Sequence, residues 1–214
     1  GLGKGAYSSG HYESIEDVWI KHKSLNVAHG AICSSELKKV VREKWQKDNT
    51  YEYQAFGFDI DEPKRAKSIK MNHPKTKPIF PLLMFGLQKK DCLDILAEHN
   101  INPPRMYKLG FHNNNCFGKS DTAIGGCVQG GIGYWQKIAR EYPEKFDKMA
   151  DMEHKLTDMR GEPVTMLKDQ SADALISGNR LVFLKPHPKY PHLKNLSMME
   201  GREPKPLMEC NGFC

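Results

Sequence analysis

Residues 79–116 decide the fold and read IFPLLMFGLQKKDCLDILAEHNINPPRMYKLGFHNNNC. Prolines at positions 78 and 81 favour an extended segment at the start of this stretch over a strand paired in a ladder. Residues 88–99 then carry apolar side chains at helical spacing, so we expect a helix with Leu93 and Leu96 facing inward. Cys92 lies in the same stripe and is predicted to be a buried packing residue without chemistry.

The sequence upstream of this stretch predicts two helices and a strand. Ser14 and Asp17 form an N-cap pair for a short helix, and a second helix is expected to follow Cys33. Aromatic and polar residues alternate over residues 51–58, which is typical of a strand. A helix is therefore expected to lead into a strand.

The sequence downstream contains the longest helical pattern, over residues 134–156. Pro143 should break or kink this helix, and residues 180–184 predict one further strand. The glycines of residues 130–133 either present backbone N–H groups to an anion or form a tight turn that lets Trp135 pack inward. The sequence leaves both interpretations open.

Length and composition indicate a single domain over residues 1–214. The chain is too short for two comfortable domains, and 39% hydrophobic with 27% charged residues is ordinary for a soluble protein. No apolar run approaches the roughly eighteen residues of a membrane span, and the N-terminal residues do not resemble a secretory signal. We therefore expect a cytoplasmic protein with no membrane partner, in which residues 1–12 are loop or disordered.

The net charge of +6 suits a protein that handles anions, although it decides nothing by itself. Six cations crowd one proline-containing segment: Lys64, Arg65, Lys67, Lys70, Lys75 and Lys77. A phosphorylated ligand or a nucleic acid can dock on such a segment, and a solvated basic loop explains it equally well. The sequence does not decide between these interpretations.

Six cysteines in a chain expected in the cytoplasm indicate metal, cluster or thiol chemistry rather than structural disulfides. Cys116 and Cys127 bracket a glycine-rich loop, and Cys210 and Cys214 form a second pair. Together they are enough for tetrahedral zinc or a [4Fe-4S] cluster, with Cys33 as an alternative ligand, and free thiols are the other interpretation. The histidines at positions 73, 112, 187 and 192 stand at no ligand spacing and are expected in loops or on the surface.

The order of several short motifs resembles a known family. Within residues 79–116 a Pro-Leu step and a helix are followed by INPP, a tyrosine, a glycine and Cys116. The sequence FGFD at residues 56–59, followed by Glu62, Arg65 and Ala66, looks like a strand end that binds a nucleotide, and ECNGFC at residues 209–214 is similar to a thiol-bearing tail. This arrangement resembles the phosphoadenosine phosphosulfate (PAPS) reductase-like family of the adenine-nucleotide alpha-hydrolase superfamily.

The resemblance implies an α/β fold, with a partial doubly wound, mostly parallel sheet, flanking helices and an irregular cysteine-bearing C-terminal segment. It implies that ATP or PAPS binds and undergoes sulfur transfer or reduction. Arg65 would hold the anion, Gly57 would let the ligand approach the backbone, and Lys38 and Lys39 would add positive potential. Cys210 would attack the sulfur of the nucleotide, with a thiol reductant such as thioredoxin and a second copy of the chain as partners.

The chain departs from this family in one important respect. The family's S-G-G-x-D-S loop, whose N–H groups cradle the phosphates, does not occur in these 214 residues. We therefore expect weak nucleotide binding and little turnover by this chain alone. The alternative is a non-catalytic binding or structural module that retains the fold without the nucleotide loop.

Overall fold

The computed structural model describes residues 12–27, 30–118 and 123–205. Its helices are α1 Ile15–His22, α2 Ile32–Ser34, α3 Val40–Asp48, α4 Pro63–Asn72, α5 Pro81–Met84, α6 Lys89–Glu98, α7 Arg105–Lys108, α8 Ile132–Glu141, α9 Pro143–Arg160 and α10 Ala172–Ser177. Its strands are β1 Asn26–Val27, β2 Gly30–Ala31, β3 Gln54–Ala55, β4 Pro78–Ile79, β5 Leu167–Lys168, β6 Leu181–Phe183 and β7 Lys194–Asn195. None of these helices has both the length and the apolar composition that a membrane crossing requires.

Local sequence signals explain where several helices begin and end. The Ser14 hydroxyl accepts a hydrogen bond from the Asp17 N–H at 3.2 Å, and the Asp17 carboxylate accepts one from the Ser14 N–H at 2.8 Å, which confirms the predicted N-cap. Pro143 separates α8 from α9, as predicted. Trp135 is fully buried. This agrees with the interpretation of residues 130–133 as a tight turn that lets the Trp135 side chain pack inward.

The helix expected after Cys33 begins one residue before it. α2 starts at Ile32, and a π-helical turn over Ser35–Lys39 joins it to α3 without a break. A π-turn is rare and is often found at functional sites. This turn carries both lysines that the resemblance assigns to anion binding, Lys38 and Lys39.

The strands form three small sheets, and two of the four strand pairs in the described residues are parallel. β3 pairs in parallel with β4, and α4 connects the two strands, so residues 54–79 are a βαβ unit. β6 pairs antiparallel with β5 and parallel with β7. The fold is therefore mixed α/β with small parallel sheets, as the coarse prediction has it.

Two details of the predicted strands are wrong. The strand expected over residues 51–58 is only two residues long, and the segment expected to be extended over residues 79–85 is paired at Ile79 and helical at Pro81–Met84. Pro78 has no N–H group to donate, and β4 needs none there because it contributes carbonyl groups to the pairing with β3. The N–H groups of Gln54 and Phe56 donate to the carbonyl oxygens of Lys77 and Ile79, at 3.3 and 2.9 Å. The strand predicted over residues 180–184 is confirmed as β6.

The main core lies between α1, α8, α9 and the β5–β7 sheet. Glu153 of α9 is fully buried in it, and its carboxyl oxygens accept hydrogen bonds from the N–H groups of Met166 and Leu184 at 2.8 and 2.7 Å. Burial raises the pKa of Glu153 to about 8, against the opposing effect of these bonds. His187 lies in a loop, which is one of the two places expected for it, and it is buried there with its ring centroid 4.5 Å from that of His154, because the chain after β6 folds back over α9.

A second, smaller apolar cluster lies inside the βαβ unit and is formed by Phe58, Ala66, Ile69 and Phe80. The helix α6 joins neither cluster fully, since none of its residues is buried and Ile95 is 40% exposed. Leu93 and Leu96 are half-buried, so they face inward only in part. The prediction that Cys92 is buried is wrong: it is half-exposed because little of the protein covers this helix.

Candidate cysteine-lined site

Three cysteines from distant parts of the chain line one cavity of about 180 Å³. Cys33 comes from α2, and Cys116 and Cys127 come from the loop between α7 and α8. The remaining wall is mostly apolar and consists of Ile15, Trp19, Ala31, Leu37, Gly126 and Val128, with Ser34 and Lys38 as its polar members. A cavity of this size is smaller than the usual 300–1,000 Å³ of small-molecule pockets, so it suits a compact group better than a nucleotide.

The described residues next to Cys116 and Cys127 pair with each other, and we call these two paired arms the hairpin. Phe117 and Gly125 form an antiparallel bridge, and the Gly126 N–H donates to the Cys116 carbonyl at 2.9 Å. This pairing carries the two cysteines to the same cavity despite their long separation in sequence. The hairpin therefore provides the geometry that a two-residue spacer would otherwise supply.

Lys145 of α9 bonds to both arms of this hairpin. Its side chain is buried, and its ammonium donates to the carbonyls of Gly118 and Ala123 at 3.2 and 3.0 Å. These carbonyls flank residues 119–122 on either side. A charge-assisted bond to each arm keeps the arms together.

Tyr134 of α8 fixes the hairpin from the inside. Its hydroxyl accepts a hydrogen bond from the Cys127 N–H and donates one to the Asn115 side-chain oxygen, both at 2.9 Å. Burial raises the pKa of Tyr134 far above its usual range, so the hydroxyl stays neutral and keeps its proton for Asn115. One side chain thus connects the residue before Cys116 to the backbone of Cys127.

Glycines at two positions allow these aromatic residues to approach the loop. A Cβ atom at Gly130 would lie 2.2 Å from the Tyr134 ring, and one at Gly126 would lie 2.4 Å from the Trp135 ring. Gly126 also has a φ of +103°, which other residues rarely adopt. The glycines of this loop therefore serve close packing around the cysteines.

In the described ranges, no three His, Cys, Asp or Glu side chains are close enough together to bind one metal ion. A lone zinc ion needs its thiolates to converge at about 2.3 Å. An iron–sulfur cluster takes one thiolate on each of several iron atoms.

Lys38 lines the same cavity as Cys33 and is otherwise exposed. Its position on the π-helical turn follows the α2 residues that carry the thiol, so one helical segment supplies both groups. A nearby cation offsets the negative charge that thiolate ligands bring. Lys39 instead lies 3.9 Å from Glu43 in an ion pair that is nearly half exposed.

The other predicted anion-binding residues lie in the βαβ unit. Arg65, in the first turn of α4, bonds to the Glu62 carboxylate, and its guanidinium lies 4.2 Å from the centre of the Phe58 ring. Gly57 follows β3 and does not have a positive φ, and a Cβ atom there would meet nothing within 4 Å. The predicted anion set is thus divided, because Lys38 lines the cysteine cavity while Gly57 and Arg65 belong to the βαβ unit.

The remaining predicted site residues, Cys210 and Cys214, lie outside the described residues. The chain that leads toward them is anchored along α8: the Gln136 side chain bonds to Glu200 and to Arg202, both at 2.9 Å. Pro204 then accepts a hydrogen bond from His112 at 3.0 Å. His112 precedes Cys116 by only four residues, so the tail begins close to the hairpin.

Sequence reasoning missed Tyr134, Asn115 and Lys145 as residues that position the cysteines. Tyr134 directly follows a glycine-rich stretch, which is a signal that a bulky side chain packs close to the backbone. From the sequence, that packing is assigned to the neighbouring Trp135 and not to Tyr134. Lys145 gives no sequence signal, since a lysine near the start of a helix is ordinarily exposed.

Comparison with known proteins finds no family model, no curated protein and no solved structure that matches this chain.

Proposed function

We propose that Cys33, Cys116 and Cys127 hold an iron–sulfur cluster in a PAPS reductase-like protein that carries out sulfur transfer or reduction on an adenine nucleotide. The observation that supports the cluster is the convergence on one small, apolar cavity of three thiols that are up to 94 positions apart in sequence. The mostly apolar lining and a lysine in the wall favour a cofactor that carries thiolate charge, and the exposure of Cys116 would leave that cofactor near the protein surface. When bound, such a cluster supplies one-electron redox chemistry or an iron that binds sulfur.

Cys210 and Cys214 are the candidates for a fourth ligand and for the attacking thiol. Cys210 follows Pro204 by six positions, and an extended chain spans at most about 3.6 Å per residue, so six residues are long enough to cover about 22 Å. As the family resemblance has it, the Cys210 thiolate would attack the sulfur of PAPS, forming an S–S bond to the sulfo group while the S–O bond to the nucleotide breaks and adenosine bisphosphate leaves. A thioredoxin-like dithiol would then attack Cys210, release sulfite and become a disulfide as the Cys210 thiol is restored.

The nucleotide is proposed to bind at the carboxyl ends of β3 and β4. In open α/β sheets ligands bind at this edge, and the space beside Gly57 leaves the backbone accessible. We propose that β3, α4 and β4, a parallel pair with its crossover helix, are the doubly wound element of this α/β fold. We propose a cytoplasmic location, as the cysteine usage of the sequence indicates.

The first experiment is purification without air, followed by visible absorption and by assay of iron and acid-labile sulfide. We expect a brown protein with equal amounts of both, and loss of colour in Cys33→Ser, Cys116→Ser and Cys127→Ser. Cys92→Ser is the matched control, because Cys92 lies on α6 and lines no part of this cavity. A colourless protein that takes up neither iron nor sulfide when both are supplied would end the cluster proposal, and stoichiometric zinc would replace it with a zinc site.

A second candidate is a binding or structural module without nucleotide chemistry. The observation that favours it is the engagement of Arg65 by Glu62 and Phe58, since a guanidinium already bonded within the protein must give up that bond to hold a phosphate. Sulfite release from PAPS in the presence of thioredoxin distinguishes the two. We expect release that depends on Cys210, and its complete absence would favour the module.

A further inference from the structure

The positive charge of this chain is concentrated in sixteen residues. Residues 63–78 contain six lysines and arginines and no aspartate or glutamate, while the whole chain has 32 basic and 26 acidic residues. The other 198 residues are therefore neutral as a group. A charge excess confined to one segment points to a local partner rather than to general solubility.

The segment exposes its lysines along one surface. Lys64, Lys67 and Lys70 recur every three residues on α4 and are all exposed. At a rise of 1.5 Å per residue they cover about 9 Å of the helix, and the turn after α4 adds Lys75 and Lys77. We call these five lysines the lysine row.

The lysine row is not used inside the protein. Within the described ranges none of the five ammonium groups pairs with a carboxylate, whereas Arg65 on the same helix bonds to Glu62. Several lysines elsewhere in the described ranges do form such pairs, for example Lys137 with Glu141 at 2.6 Å. The row is therefore available to an anionic partner without breaking an internal ion pair.

An exposed aromatic ring stands at the end of the lysine row. Tyr53 is 57% exposed, and the next residue, Gln54, donates its N–H to the Lys77 carbonyl at 3.3 Å. The β3–β4 pairing thus brings Tyr53 beside the last lysine of the row. Lysines that follow a backbone together with an exposed ring for stacking are the combination found in proteins that bind single-stranded nucleic acid.

We propose that the lysine row and Tyr53 form a docking surface for single-stranded nucleic acid. The ammonium groups contact successive phosphates, and a base stacks on the Tyr53 ring. A membrane surface fits less well, because the apolar side of α4 is already occupied: Ala66 and Ile69 are buried against the phenylalanines of the βαβ unit. This surface is separate from the cysteine cavity, so its function does not depend on the proposed cluster.

The test measures fluorescence anisotropy of a labelled oligouridylate of about 16 nucleotides against the purified full chain at several salt concentrations. Each phosphate contact with a single strand contributes about −0.7 to the slope of log K against log salt, so five contacts give about −3.5. Affinity should then fall roughly 100-fold between about 50 and 200 mM salt. The triple variant K67Q/K70Q/K77Q should bind more weakly. With two lysines of the row left, its affinity should fall only about sevenfold over the same range of salt.

The matched control is K90Q/K155Q/K168Q, which removes the same charge from exposed lysines on α6, α9 and β5. It should bind nearly as the natural chain does. Tyr53→Ala should weaken binding about fivefold or more while Tyr53→Phe retains it, since stacking needs the ring and not the hydroxyl. Far-ultraviolet circular dichroism checks that each variant is folded.

Three results would overturn the proposal. Equal loss in the control triple would assign binding to net charge alone. Stronger binding to duplex DNA with no effect of Tyr53→Ala would exclude a single-strand surface. Binding to phosphatidylserine vesicles without binding to the oligonucleotide would make the lysine row a membrane contact.

Discussion

Replacing Tyr134 with phenylalanine tests whether one buried hydroxyl holds the cysteine hairpin in position. The change removes the acceptor of the Cys127 N–H and the donor to Asn115, both at 2.9 Å. A buried group left without its partner costs about 1–3 kcal/mol. Because Asn115 is half-exposed and can turn to water, we expect about 2 kcal/mol in total. For a chain of this length that lowers Tm by about 4–8 °C.

The control is Tyr142→Phe, which makes the same chemical change in the same aromatic cluster. The Tyr142 ring packs 4.9 Å from that of Phe117, yet its hydroxyl makes no hydrogen bond in the described part of the chain. We expect it to change stability by less than about 0.5 kcal/mol. Thermal melting followed by circular dichroism gives the first readout, and the rate of Cys127 alkylation, which should rise only in Tyr134→Phe, gives the second. Equal melting and equal alkylation in the two variants would refute a positioning role for this hydroxyl.

Three further predictions concern other parts of the molecule. Glu153 has a pKa of about 8 in the folded protein against 4.5 for the free group, so its contribution to stability is complete below pH 4.5 and is lost as the pH rises through 8. Urea unfolding between these pH values should show the free energy of unfolding falling as the pH rises. In Glu153→Gln the free energy of unfolding should depend less on pH. Cys92 should react with a thiol reagent well before the buried Cys33 in metal-free protein, as peptide mass mapping would reveal, and slower labelling of Cys92 would contradict its exposure. Calorimetry should find binding of ATP or PAPS weaker than micromolar, because several charge-assisted bonds from the absent loop are each worth roughly 1.5–3 kcal/mol; sub-micromolar binding abolished by Arg65→Ala would mean that another segment replaces that loop.

The features predicted correctly from the sequence are those that neighbouring residues determine. The N-cap at Ser14 and the break at Pro143 each depend on contacts within a few positions of the chain, so the relevant residues stand together in the sequence. The strand β6 was visible for the same reason, as a short run of β-branched and aromatic side chains between turns. Such signals specify an element but not its partner.

The features that the sequence did not specify depend on contacts across long separations. The strand that contains Pro78 pairs with β3 because the Gln54 N–H donates to the carbonyl of the preceding residue, Lys77. His187 is buried because its ring packs against His154 of α9. Cys33 joins the other cavity cysteines only when α2 packs near the hairpin, 83 positions away. Periodicity and motif spacing do not contain this information, so Cys33 was ranked as an alternative ligand although it lines the same cavity as Cys116 and Cys127.

The helical segment from α2 to α3 connects the two places that the family resemblance assigns to one reaction. It begins at the cysteine cavity with Cys33 and reaches the βαβ unit thirteen residues later, where the Gln46 side chain donates to that of Gln54 at 2.7 Å. Thirteen residues of helix rise about 20 Å, so a nucleotide at Gly57 would not touch the cavity thiols directly. Under the proposed function, the thiols of the cavity would hold a cofactor, and attack on the nucleotide would fall to a thiol on a longer tether, such as Cys210. This division requires that Cys33→Ser remove the cluster and leave nucleotide affinity unchanged.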